Sequence, residues 1–131
     1  MIEIGIKGHQ QMLVTESDIA TEVGSGKVRV FATPMMIALI EKTASLSVEP
    51  YLEEGQTTVG TLVDVTHTAA TPIGMEVHAE SEVMEVDRRR IVFAVKAYDE
   101  CGPIGEGRHE RFVTDIRKFE EKCASKLRSV R

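Results

Sequence analysis

From Met35 to Ile40 the chain is apolar at every position. Six such residues in a row leave no helical face polar, so the segment predicts a helix covered by other structure. It is too short to cross a bilayer. Thr33 reads as the N-cap, its oxygen accepting from otherwise unpaired amides, and Pro34 as the first helical residue, where no bond is lost. Pro50 and Gly55 close the helix. Into it the sequence places one acid, Glu41.

Elsewhere the pattern turns to a period of two. Ile4, Ile6, Met12 and Val14 predict an opening strand within residues 3–14, and 15–26, ending Gly-Ser-Gly, a loop with room for one helical turn. Val28 and Val30 alternate with Lys27 and Arg29 as a short extended entry to the helix. After the helix, Val59, Thr61, Val63 and Val65 alternate with Gly60, Leu62, Asp64 and Thr66. Ala69 to Gly74 reads as a turn. Met75, Val77, Ala79, Ser81 and Val83 face one way, and Glu76, His78, Glu80 and Glu82 the other, as in a sheet with one wet side. Residues 86–89 turn the chain into a buried strand over 91–95, and 99–103 turn it into a last strand over 104–114. Gly105 and Gly107 in that strand imply a bend or the close approach of another backbone. Residues 115–128 predict a surface helix.

The order is strand, buried helix, then four strands joined by short turns, which require antiparallel neighbours. The helix must lie on the concave face of their sheet. This is α+β, the hotdog architecture: a curled antiparallel sheet wrapped around one long central helix. The 131 residues, 42% of them apolar, suffice for one domain spanning 1–131. A sheet edge of this kind commonly pairs with a second copy, so a homodimer is expected.

Charge and cysteine usage narrow the classes. A net charge of −5 argues against a nucleic-acid partner. Met-Ile-Glu-Ile-Gly-Ile at the start has neither a basic region nor a long apolar core, so no secretory signal and no membrane association are expected. Cys101 and Cys123 form no motif and fit a reducing compartment, which makes a cytoplasmic location the expectation.

Three polar side chains are candidates for chemistry: Thr33, Glu41 and His67. Each has a plain structural reading beside it. Thr33 serves as a cap, Glu41 beside Lys42 as the wet edge of the helix, and His67 between two threonines as an exposed strand end. Thr33 and Glu41 lie about 12 Å apart along a helix axis, so a substrate would lie between or across them, with His67 supplied from the sheet side or by a partner subunit. His9, His78 and His109 have no ligand spacing with His67, and no metal site is expected. Arg88-Arg89-Arg90 reads as a solvated turn, or as a cluster of guanidiniums able to meet a phosphate.

These residues carry a resemblance. Phe31-Ala32-Thr33-Pro34 leading to Ile40-Glu41, then Thr58-Val59-Gly60-Thr61, His67 to Gly74, and Gly107-Arg108-His109-Glu110-Arg111-Phe112 together resemble the fluoroacetyl-CoA thioesterase-like group of hotdog proteins, from about Phe31 to the C-terminal helix. The resemblance implies a catalytic set of Thr33, Glu41 and His67, with Gly60 and Arg111 lining the acyl end of the site. It implies hydrolysis of a short or small acyl-CoA thioester, with coenzyme A as part of the substrate and no separate cofactor. Glu41 would attack the carbonyl or activate water, Thr33 would orient the reacting groups, and His67 would activate water or protonate the thiolate. The backbone near Gly60 could approach the oxyanion. Fluoroacetyl selectivity is not implied, because the loop through Lys27, Val28 and Arg29 offers no aromatic gate. Two alternatives stand beside this reading. A hotdog hydratase or dehydratase would want an Asp/His pair, and Asp64 and His67 fall on opposite faces by parity. The other alternative is a non-catalytic acyl-CoA-binding module.

Overall fold

The computed structural model describes residues 1–131. Strand β1 (Lys7–Leu13) is followed by a 3₁₀ turn at Glu16–Asp18 and a single turn of helix, α1 (Ala20–Val23). The long helix α2 (Thr33–Val48) runs into a further 3₁₀ turn at Glu49–Tyr51. Strands β2 (Gln56–Val65), β3 (Glu76–Asp87), β4 (Arg90–Asp99) and β5 (Gly102–Asp115) come next, and helix α3 (Ile116–Ser129) ends the chain. The extended entry expected at Val28 and Val30 is a series of bends, and only Phe31 is bridged, to Ile19.

One antiparallel sheet has the order β1-β3-β4-β5-β2. The hairpins β3–β4 and β4–β5 match the expected short turns. The β2–β3 connection does not: these strands lie far apart in the sheet, with β2 on β5 at one edge. Residues 66–75 are a crossover past the beginning of α2, because the helix occupies the concave side and the chain must pass its end. The fold is the hotdog architecture, α+β.

Helix α2 buries Met36, Leu39, Ile40, Thr43, Ala44 and Val48 against the sheet, one stripe at the helical period. Facing it are Val77, Ala79, Val83, Ile91, Phe93, Val95, Ala97, Ile104 and Val113. Buried Thr43 satisfies its hydroxyl by donating to the Leu39 carbonyl (2.7 Å). β1 comes close to the helix only because residue 8 is glycine: a Cβ there would stand 2.7 Å from the Ser47 Cβ and 2.8 Å from the Thr43 carbonyl oxygen. The expectation that α2 is covered all round is not met within one chain, where Pro34, Ala38, Lys42 and Leu46 are exposed. A five-stranded sheet curls around one side of a helix, not both.

The alternation expected in β2 is broken by a bulge between Gly60 and Leu62. Gly60 pairs with Arg111 but Leu62 with Glu110, so Thr61 is the extra residue. Beyond it Val63 and Val65 share a face with Thr58 and Gly60, which a strict period of two assigns to opposite faces. Gly105 and Gly107 fulfil the close approach read from the sequence: a Cβ on either would fall within 2.3 Å of a backbone oxygen, of Thr66 and Asp64 respectively. Cys101 and Cys123 are both free and exposed, and no helix is long and apolar enough to cross a membrane.

Candidate active site

The crossover delivers His67. Thr66 and Thr68 donate backbone hydrogen bonds to Glu106 and Ile104 of β5 (2.9 and 2.7 Å), and the Phe31 amide donates to Thr71 (2.9 Å). Thr71 is itself pinned, its hydroxyl donating to the Asp99 carboxylate at 2.7 Å. Strapped at both ends, His67 meets the start of α2, where the Thr33 hydroxyl and His67 Nδ1 share a hydrogen bond of 2.7 Å. The expected N-cap role of Thr33 is corrected here. Ala32 is the N-cap, Thr33 is the first helical residue, and no side chain caps the helix, because the threonine hydroxyl is engaged by the imidazole instead. β2 stops at Val65, so the parity used to separate Asp64 from His67 does not extend to the histidine.

Phe31 meets the His67 ring edge-on, with centroids 6.5 Å apart, and His67 Nε2 is shut from solvent without a hydrogen-bond partner. Burial holds the imidazole below its ordinary pKa of 6.5, with the Ala69 backbone offsetting part of the effect. Thr33 and His67 border a hollow of about 310 Å³ whose other walls include Val28, Val30 and Ala69.

Glu41 lies on the same helix in a second cluster. One carboxylate oxygen is 3.7 Å from Arg111 Nη1, and the Glu41 side chain is 42% exposed against 8% for Arg111. The apolar sheath expected around this acid is therefore only partial in a single chain. Gly60 forms the floor: a Cβ there would stand 2.9 Å from the Glu41 carboxylate and 3.4 Å from Arg111 Nη1. Three of the expected site residues, Glu41, Gly60 and Arg111, are thus brought together, as are Thr33 and His67, but nothing in the chain joins the two groups.

The sequence reading passed over two members of the second cluster. Arg111 Nε donates to the Thr58 hydroxyl (2.8 Å), Nη2 to the Thr58 carbonyl (2.9 Å), and Nη1 meets His109 Nε2 at 3.2 Å. His109 Nδ1 lies 2.8 Å from the Leu62 carbonyl. A carbonyl accepts only, so Nδ1 carries the proton; a guanidinium donates only, so Nε2 presents its lone pair. The ring is neutral in this arrangement. Burial first, and then the Arg111 charge, hold its pKa below the ordinary value, partly offset by Leu62, Glu41 and Glu110. Burial likewise lowers that of Arg111, against the charges of Glu41 and Glu49. The signal was present: His109 and Arg111 are two residues apart on one strand and share its inner face. On the outer face Glu110 is engaged by Arg90 at 2.8 Å, so the triple arginine is not wholly a solvated turn. His9 and His78 pair with each other at 3.0 Å.

A fluoroacetyl-CoA thioesterase of Streptantibioticus cattleyicolor is 43% identical over 97 residues, 74% of this chain and 70% of that protein. The structure of the fluoroacetyl-CoA thioesterase FlK superimposes with a TM-score of 0.91 at 33% identity, covering 96% of this chain and 98% of that one. A Thermus thermophilus hypothetical protein, a thioesterase superfamily member, matches with a TM-score of 0.87 at 28% identity over 98% of this chain and 95% of its own. The molecule is a hotdog thioesterase, a thioester hydrolase. More narrowly, residues 14–117 match the model of the FlK family, the fluoroacetyl-CoA-specific thioesterases, and the chain belongs to that family.

Proposed function

We propose that the chain hydrolyses a short or small acyl-CoA to the free acid and coenzyme A, using Thr33, Glu41 and His67, with Gly60 and Arg111 at the acyl end. The observation that carries this reading is the 2.7 Å bond between the Thr33 hydroxyl and His67 Nδ1, a hydroxyl–imidazole pair beside a hollow, on a scaffold whose relatives cleave thioesters. Glu41 supplies the other half of the chemistry. Its carboxylate attacks the thioester carbonyl, expelling the thiolate and leaving an anhydride for water to open, or it takes a proton from the water that attacks. Both routes consume one water and release one acid and one thiol. Arg111 Nη1 stands 3.7 Å from one oxygen of the Glu41 carboxylate, an ion-pair contact. Within one chain His67 lies about 12 Å along the helix from Glu41, so a proton for the departing sulfur would come from an imidazole brought across the boundary between two copies.

The active unit we propose is a homodimer located in the cytoplasm. β2 is an edge strand of ten residues, of which only Thr58 is buried, and a long unprotected edge is a template for another strand. Gly60 lies on β2 with Glu41 above it, so a second copy paired there would place this cluster at the boundary between subunits. It would also cover apolar surface that one chain leaves open.

The test is thiol release by purified protein from a panel of short acyl-CoAs that includes fluoroacetyl-CoA. Turnover of one or more, cut at least about 10²-fold by Thr33→Ala or His67→Ala, is the expected result. Absence of turnover on the whole panel, or wild-type rates in both variants, contradicts the reading.

A further inference from the structure

We propose that His109 is a positioning residue, which holds Arg111 in the one orientation that serves Glu41. The inference rests on the reading of Glu41 as a catalytic group. It starts at the β2 bulge. The extra residue Thr61 shifts the register between Gly60 and Leu62, and the Leu62 carbonyl accepts from His109 Nδ1–H at 2.8 Å. That bond fixes the tautomer, so Nε2 offers its lone pair to Arg111 Nη1 at 3.2 Å. The ring cannot swing away, being wholly buried and stacked on Phe93 with centroids 6.1 Å apart.

Arg111 is then held at three points: Nε and Nη2 on Thr58 and Nη1 on His109. A guanidinium has five N–H donors in a rigid plane. With Nη1 fixed on the imidazole, the guanidinium charge stands 3.7 Å from Glu41 Oε2, an ion-pair contact rather than a hydrogen bond. Thr58 alone leaves the Nη1 end without a fixed acceptor. The groups facing His109 are few: Glu41 from α2, Arg111 from β5, the Leu62 carbonyl from β2 and the uncharged Phe93 ring from β4, with Glu110 acting through charge alone from the outer face of β5. Only Arg111 is a donor within reach of Nε2, so the imidazole acts on Glu41 through it.

A double-mutant cycle on kcat/KM tests this, using His109→Leu and Arg111→Met in the full-length protein. His109→Leu is expected to lower kcat about 10- to 100-fold with a smaller change in KM, and to cost little further activity once Arg111 is already methionine. Additive losses in a folded double variant, or a wild-type kcat in folded His109→Leu, would overturn the proposal. Where His109→Leu fails to fold, two polar variants decide. His109→Gln can place an acceptor near the Nε2 position, whereas His109→Asn reaches only the Leu62 carbonyl. Glutamine is expected to exceed asparagine in kcat by about tenfold; equal or reversed rates overturn the inference. Glu41→Ala separates the two readings. If it is inactive while the cycle is additive, only the role of His109 fails; if it is fully active, the Glu41 reading fails and the His109 inference with it.

Discussion

At the scale of single residues, the two clusters show how one atom more or less decides chemistry. Gly60 has no Cβ because the Glu41 carboxylate occupies that place, 2.9 Å from where a Cβ would be. The contact is with the end of a flexible side chain, so Gly60→Ala displaces the acid rather than the backbone. Its expected effect is a loss of activity of up to about 10²-fold with melting temperature nearly unchanged, read by steady-state kinetics beside a thermal melt. A large fall in melting temperature would mean that glycine is there for the strand instead. The buried ring of His109 and the half-buried ring of His67 carry a second consequence. His67 and His109 both have pKa values below the ordinary 6.5, so the unfolded chain takes up protons first as pH falls. Their contribution to stability is complete above about pH 6.5 and drains away as pH drops toward the lowered folded-state values. Melting temperature should fall between about pH 7 and about pH 5, and a flat profile would contradict two rings held neutral by full burial of His109 and partial burial of His67.

At the scale of elements, much of the fold was legible because the sequence repeats the physics of its environments. The Met35–Ile40 run announced α2, and the Val77-to-Val83 alternation announced a half-wet strand. What failed to show was long-range. The short spacing between β2 and β3 suggested a hairpin, yet the chain passes the helix end, and no local residue encodes which edge it will join. The bulge at Thr61 was equally silent, and it reverses the facing of Val63 and Val65. Thr33 was misread as a cap because Thr-Pro before an apolar run has that signature; the imidazole that claims its hydroxyl lies 34 residues on. Thr58 and His109 show no role of their own in the sequence for the same reason, since each matters through Arg111. Close packing of β1 on α2 has its own test. Gly8→Ala sets a methyl against the Thr43 carbonyl, which is backbone and cannot rotate aside, and should cost about 1–3 kcal/mol in denaturant unfolding. An unchanged midpoint would show that β1 and the helix are not so tightly matched.

At the scale of the whole molecule, one chain is only partly closed. Edge strand β2 has a single buried residue, Thr58, α2 shows Pro34, Ala38 and Leu46 to solvent, and Glu41 lies where that edge and that helix meet. The Thr33–His67 pair stands about 12 Å away along the helix axis. A second copy on β2 would cover the open surface and bound the acyl end of the site. Sedimentation or light scattering should therefore return twice the 14.5 kDa of the chain, and a monomer at assay concentration would contradict the proposed assembly. What all of this serves is the carboxylate of residue 41. Its most direct measurement is kcat/KM for Glu41→Gln on the best short acyl-CoA, a change that keeps the shape of the side chain and removes its charge. A fall of at least about 10²-fold in a folded protein with wild-type mass is the expected result; turnover undiminished without the charge would show that the thioester is broken some other way.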